Sequence, residues 1–424
     1  MPHAAGWEWA RPPIPVYLEA MELTYFRKGF GLKDAIGGQL AADYASAIVD
    51  LLRARDYTLE VGPVTFRLAR EFGFCYGVDR AVDYAYETRI KFPDRQLYLV
   101  GEIIHNPHVN RKLEEMGIRF LLSDQAGEFD FSVVTPEDVV ILPAFGVTMR
   151  DFDRLRAIGC VLVDTTCGSV LNVWKRVESY AKDGFTAVIH GKHYHEETRA
   201  TASQVTRHPG GKYLVVLNMD EARLLCDFIE RDGDAAVLAA RFEHRYSPGF
   251  DFAHDLARVG VANQTTMLSG ESLAIAAELR RSMERRYGAE ALGQHFRSFD
   301  TICSATQDRQ DAVRALLEEP LDLMVIVGGY NSSNTCQLAT LVESRGMRGY
   351  HIEDADCIDT ATGAVRHQPA RKKHEETAEG WLAGATRIGL TAGASTPNNK
   401  IGETLVRVCE SLGLGATLEA AARG

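Results

Sequence analysis

Short runs of consecutive apolar residues alternate along this chain with longer runs that are apolar on one helical face only. The short runs are 97–103 (LYLVGEI), 139–145 (VVILPAF), 160–166 (CVLVDTT), 185–191 (FTAVIHG), 213–218 (YLVVLN), 258–264 (RVGVANQ), 322–329 (DLMVIVGG) and 387–393 (RIGLTAG). Continuous Val/Ile/Leu runs of this length predict strands buried on both faces. Between them, 170–182, 272–286 and 335–346 have helical spacing. Such alternation predicts parallel α/β layers. Before residue 64 the chain is more polar. There 40–54 (LAADYASAIVDLLRA) predicts one helix and FRKGFGLKD a loop, while 361–380 predicts the longest loop of the α/β region.

Three segments echo one another: LAREFGFCYGVDRAVDYAYE, VLVDTTCGSVLNVWKRVESY and SFDTICSATQDRQDAVRALL. In each, a short strand runs into a cysteine and then into a helix. The echo predicts three related modules, each presenting one cysteine (Cys75, Cys167, Cys303) at a strand's C-terminal end. The expected division is an N-terminal extension at 1–63 and modules at 64–167, 168–300 and 301–424, the last with a C-terminal segment.

Composition narrows the function. A chain of 424 residues exceeds one compact core. Its net charge of −11 disfavours a nucleic-acid role. No apolar run reaches the roughly 18 residues of a membrane span. Met1 to Val16 lacks the apolar segment of a secretory signal. A cytoplasmic protein is expected. The eight cysteines include no C-x-x-C pair, which argues against a zinc ribbon or a thioredoxin motif, and the chain is too long for a disulfide scaffold.

Ligands of open α/β sheets bind beyond the carboxyl ends of the strands. A cysteine there, at a helix N-terminus, favours the metal-binding thiolate. Three such thiolates meet only if the modules pack around a common axis. A cubane cluster normally takes four cysteines, so three leave one iron open for chemistry. Burial as a small hydrophobe remains the alternative for each, and is expected for Cys160, Cys226, Cys336, Cys357 and Cys409, which lack the echo. Other strand ends carry HGKHYHEETRAT (190–201), GGYNSSNT (328–335), TAGASTP (391–397), His105 with Asn106, and Gln264 with Thr265 and Thr266. Together they make a rim of phosphate-compatible donors with few full positive charges.

These residues also carry a family resemblance. GFCYGVDRA, EIIHNPHV, VDTTC, HEETRATAS, NQTTML, ICSATQDRQDAV, VIVGGYNSSNT and TAGASTP run, in order, from about residue 65 to 410. The chain resembles the IspH/LytB family of 4-hydroxy-3-methylbut-2-enyl diphosphate reductases, enzymes of non-mevalonate isoprenoid synthesis. RKGFGLKD, ILPAFGV and HGKHYHEET are similar to the longer, plastid-type branch, which is ferredoxin-dependent. The resemblance implies a pseudo-threefold trefoil of α/β modules around a [4Fe–4S] cluster. Cys75, Cys167 and Cys303 would be its ligands, with one iron open. It implies diphosphate contacts from His105, His195, Ser332, Asn334 and Ser395, with Ser333 adjacent. It also implies a proton relay at Glu197, a hydroxyl near the substrate alcohol at Thr265, and an electron donor such as ferredoxin or flavodoxin.

Phe145 stands where many members carry a histidine, which removes one diphosphate donor, although the longer branch tends to share it. Gly168 and Ser304 follow their cysteines where proline, and an aromatic or acidic residue, are usual. Three other readings fit parts of the pattern. Quinolinate synthase also has three modules, three cysteines and an open iron, but no diphosphate substrate. A redox sensor would not need Glu197. A zinc hydrolase would use His193, His195 and Glu197.

Overall fold

The structure is a computed structural model that describes residues 24–370 and 372–423. The reading of Met1 to Val16 lies outside the described residues. Strands β1 (Tyr25–Phe26), β2 (Thr58–Val61) and β3 (Val64–Leu68) come first. Then follow β4 (Leu97–Val100), β5 (Ile118–Leu121), β6 (Val139–Leu142) and β7 (Val161–Asp164). A second group is β8 (Thr186–His190), β9 (Tyr213–Val216), β10 (Val259–Asn263) and β11 (Phe296–Ser298). A third is β12 (Leu323–Val327), β13 (Gly349–Ile352), β14 (Ile358–Asp359), β15 (Ala364–His367), β16 (Glu376–Ala378) and β17 (Arg387–Ala392).

Three sheets share one parallel core. Across the first the order is β5-β4-β6-β7, across the second β9-β8-β10-β11, and across the third β13-β12-β17-β3. Each strand's odd and even residues enter different apolar clusters. In the first sheet Leu97, Leu99, Val139 and Ile141 face one cluster, and Tyr98, Val100, Val140 and Leu142 the other. Burial of both faces is why these strands read as continuous apolar runs.

The third sheet differs from the expected division. Its fourth strand is β3, near the start of the chain, which pairs with β17. A boundary at residue 64 assigned β3 to the first module, and Val64, Phe66 and Leu68 instead bury in the core of the third. Nor is 24–63 a separate extension: β1 extends the first sheet on β7, and β2 extends the third on β3. Two more expectations change. The single helix at 40–54 is two, Lys33–Tyr44 and Ala47–Ala54, because Ala45 is extended and Ser46 caps the second through Val49 N–H at 3.4 Å. The long loop at 361–380 contains β15 and β16, paired antiparallel.

Between sheets the chain hands helices on. After β3 of the third sheet, helix Tyr76–Lys91 packs Ala81, Val82 and Ala85 into the first. After β7 of the first, helix Gly168–Lys182 packs Val173 and Val177 into the second. After β11 of the second, helix Ser304–Leu316 packs Val313 and Leu316 into the third. The circuit closes, and a cysteine stands at each transfer.

Residues 25–32 brace one transfer. Tyr25 OH donates to Asp164 at 2.6 Å, and Arg80 donates to Arg27 O at 2.8 Å and Thr166 O at 3.1 Å. The buried Glu87 accepts from the N–H of Phe30, and of Leu32 at 3.2 Å. Glu87→Ala is expected to lower stability by about 1–2 kcal/mol, since it removes the acceptor of two N–H groups. Urea unfolding measures this; an unchanged midpoint would show that the segment is not anchored there.

Candidate functional site

The three cysteines are the N-caps of the three transferred helices. Their backbones repeat one pattern. Cys75 N–H donates to Ala394 O at 3.1 Å, Cys167 N–H to Ala144 O at 2.9 Å, and Cys303 N–H to Thr265 O at 3.3 Å. Those carbonyls follow β17, β6 and β10, the third strand of each core. All three cysteines are half-buried. Gly77 lies between two of them: a β-carbon there would sit 2.5 Å from Cys167 Sγ and 3.9 Å from Cys75 Sγ. The buried Arg309 donates to Gly73 O at 2.7 Å and Phe74 O at 3.1 Å, which fixes the turn before Cys75. Burial pushes the Cys75 thiol up, opposed in part by the N–H of Val78 and by the Arg309 charge. Burial pushes Cys303 up to about 11 against its hydrogen bonds to Thr306. Thiols in this setting need a bound cation to become thiolates.

The spacing bears on which cation fits. Among the described residues, only His105, His195 and Glu196 bring three ligand atoms within 4.8 Å of one another. The sulfurs of Cys75, Cys167 and Cys303 do not all lie within that distance of one another. Nor do His193, His195 and Glu197 form such a set, which removes the zinc-hydrolase arrangement. Cys160, Cys226, Cys357 and Cys409 are buried, and Cys336 lies on helix Ser333–Ser344 with its thiol on Tyr330 O at 3.2 Å.

The polar candidates occupy equivalent strand ends. After β4, β8 and β12, the second strand of each core, come His105 and Asn106, then His195, then Ser332; Asn106, His195 and Ser332 are the N-caps of the helices that follow. After the third strands come Phe145, Thr265 and Ser395. Sheets one and three meet closely, since a β-carbon on Gly329 would sit 2.6 Å from His105 O. Ser395 OH lies 3.2 Å from both His105 O and Ser332 Oγ. Asn334 Oδ1 accepts from Ala394 N–H at 2.9 Å, and its amide nitrogen reaches Thr306 at 3.3 Å, so Asn334 braces the Cys75 and Cys303 loops as well as facing the rim. Ser333 Oγ and His105 Nε2 are buried without a hydrogen-bond partner. Buried polar atoms left in this way are free to bind a ligand.

Burial and neighbours separate the charges. Glu197 is buried, accepting from Thr265 N–H at 2.6 Å and Thr265 OH at 3.0 Å. Burial nevertheless raises its carboxyl to about 7, against both hydrogen bonds. Burial pulls His105 down, but the hydrogen bond to Glu102 and the ion pair with Glu196 reverse this and lift it to about 9. His195 accepts the Glu197 N–H on Nδ1 at 3.2 Å, and burial followed by the His105 charge holds it neutral. Its Nε2 therefore carries the proton. Glu102, Arg309 and Gly77 were not legible in the sequence. Glu102 lies at the end of an apolar run and Arg309 in a polar string, and nothing local marked what they would face.

The chain has relatives of known name. A family model described as LytB protein matches residues 66–408. A protein of Gloeobacter violaceus named 4-hydroxy-3-methylbut-2-enyl diphosphate reductase is 50% identical over 92% of this chain and 94% of its own length. One of Thermosynechococcus vestitus with the same name is 48% identical over 91% and 94%. Among solved structures, the E-1-hydroxy-2-methyl-but-2-enyl-4-diphosphate reductase of Plasmodium falciparum shares the fold, with a TM-score of 0.59 at 21% identity over 81% of this chain and 87% of that one.

Thr265→Val removes a hydrogen bond that favours the charged form of Glu197. Its carboxyl should then titrate above the starting value of about 7 in infrared difference spectra. A titration at or below that value would refute the assigned contact.

Proposed function

The chain belongs to the LytB protein family, and we propose that it reductively dehydroxylates (E)-4-hydroxy-3-methylbut-2-enyl diphosphate to isopentenyl and dimethylallyl diphosphate. This is the last step of the non-mevalonate isoprenoid pathway. The observation that carries this reading is the meeting of Cys75, Cys167 and Cys303, each an N-cap, beside the buried Glu197–Thr265 pair. The cofactor is a [4Fe–4S] cluster held by those three thiolates. Helix N-termini favour their charge, Arg309 adds a cation near Cys75, and Gly77 leaves the room that a side chain would fill. Such a cluster supplies electrons one at a time and an open iron as Lewis acid.

The protein's own groups do the rest. A carboxyl poised at about 7 holds a proton at neutral pH and can release it. Thr265 OH, hydrogen-bonded to Glu197, passes that proton to the departing oxygen by reversing the direction of its bond. The diphosphate end lies against His105, His195, Ser332, Ser333, Asn334 and Ser395. Their neutral donors, together with the charged His105, fix the far end of the substrate so that its alcohol faces Thr265. At the reacting end the buried Glu197 and Thr265 leave little surface open to water. Electrons come from a small one-electron carrier such as ferredoxin or flavodoxin. Among the described residues no helix is long and apolar enough to cross a membrane, and the proposed location is the cytoplasm.

An anaerobic assay with the hydroxylated diphosphate and reduced ferredoxin tests the reading; no turnover by iron-replete protein would refute it. Glu197→Gln should keep its iron and lose at least ~10²-fold in turnover, and wild-type turnover would remove the relay. Cys75→Ser should lose both bound iron and activity, and a fully active, iron-replete variant would overturn the ligand assignment.

A further inference from the structure

The ring of His105 is fixed on three sides. Its Nδ1 is 2.8 Å from Glu102 Oε2. Its face lies on Phe145, with centroids 4.4 Å apart and planes at 16°. The His195 ring meets it edge-on at 5.1 Å. Only Nε2 is left, and it is buried without a hydrogen-bond partner. The anion that faces it is Glu196, whose Oε2 stands 3.5 Å away, and 3.9 Å from His195 Nδ1. That contact is an ion pair with poor hydrogen-bond alignment.

The two partners differ in freedom. The His105 side chain is 9% exposed and that of Glu196 is 46% exposed. A cavity of about 30 Å³ adjoins Glu196, lined also by Phe145, Asp151 and Arg199. Arg199, which donates to Gly127 O at 2.8 Å, lies one turn along the same helix, so the carboxylate has a cation beside this space to turn towards. Glu197, next in the chain, has no such freedom, since both its oxygens are held by Thr265.

We propose that Glu196 is a displaceable carboxylate: it occupies the anion-binding face of the His105 imidazolium until the substrate's diphosphate takes its place. The proposal rests on the diphosphate reading of this rim. Its consequence is a threshold for occupancy. A tethered carboxylate already neutralises the site, so every incoming anion must displace it, and a condensed phosphate, with several charges and oxygens, fills the site at concentrations at which a single phosphate does not. Phe145 serves as the platform that holds the His105 ring in this position, in place of a second neutral donor. A metal ion shared by His105, His195 and Glu196 would need the Nδ1 of His195, which already accepts the Glu197 N–H.

The test is inhibition of the iron-replete enzyme by inorganic diphosphate and by inorganic phosphate, measured anaerobically in the wild type, Glu196→Gln and His105→Ala. Glu196→Gln should tighten diphosphate by roughly 3- to 10-fold, in line with the loss of one partly exposed like charge. It should tighten phosphate as well, since a shared competitor lowers the affinity of every anion that must displace it. A damaged site would weaken both ligands, so a gain in affinity separates displacement from a structural role. Unchanged or weaker inhibition in Glu196→Gln would overturn the proposal, as would tightening that a chelator abolishes. His105→Ala should weaken diphosphate; if it does not, the diphosphate reading of the rim itself fails, independently of Glu196.

Discussion

Everything at this site depends on the transfer of a helix from one sheet to the next. Each core ends in a strand whose following helix can bury its apolar face only against a neighbouring sheet. The residue at each crossing must stop extended chain, start a helix and point inward. Cys75, Cys167 and Cys303 hold those positions, and their N–H groups are tied to the strand-end loops of their own sheets. Separate modules with the same cysteines would leave three isolated thiols. Closure of the circuit by β3, which comes from the start of the chain and completes the last sheet, holds the third crossing against the first.

The same crossing geometry sorts the charges. Glu196 and Glu197 are adjacent in sequence and begin one helix, yet their carboxyls shift in opposite directions. Glu197 turns inward, where burial outweighs two hydrogen bonds and raises it to about 7. Glu196 turns towards His105, whose charge draws it down against the effect of its own burial. One is thus suited to hold a proton and the other to hold a counter-charge. The neutral His195 between the two sheets, with Nδ1 committed to the backbone, is left as a donor at Nε2.

Much of this was legible in the chain. The eight apolar runs are strands because both faces of each sheet are buried, and the cysteine echo is a real structural repeat. What the echo could not convey is that strand and helix on either side of each cysteine serve different sheets, since that is a fact of packing. β3 was assigned to the wrong module for the same reason: its partner β17 lies more than three hundred residues away. The break at Ser46 was missed because apolar periodicity runs across it, although serine is a standard helix cap. Phe145 read as the loss of a donor; its stacking on His105 makes it a support instead. Glu196 was one of several candidates in the string HGKHYHEETRAT, and nothing local marked His105 as the group it would face.

The proposed function requires that Cys75, Cys167 and Cys303, with no fourth thiolate, hold one cluster whose remaining iron meets the substrate. Mössbauer spectra of iron-57-reconstituted protein, recorded anaerobically with and without (E)-4-hydroxy-3-methylbut-2-enyl diphosphate, test this. One iron distinct from the others, whose signal alone shifts when the substrate is added, is expected. Four equivalent irons, or a distinct iron indifferent to the substrate, would rule it out.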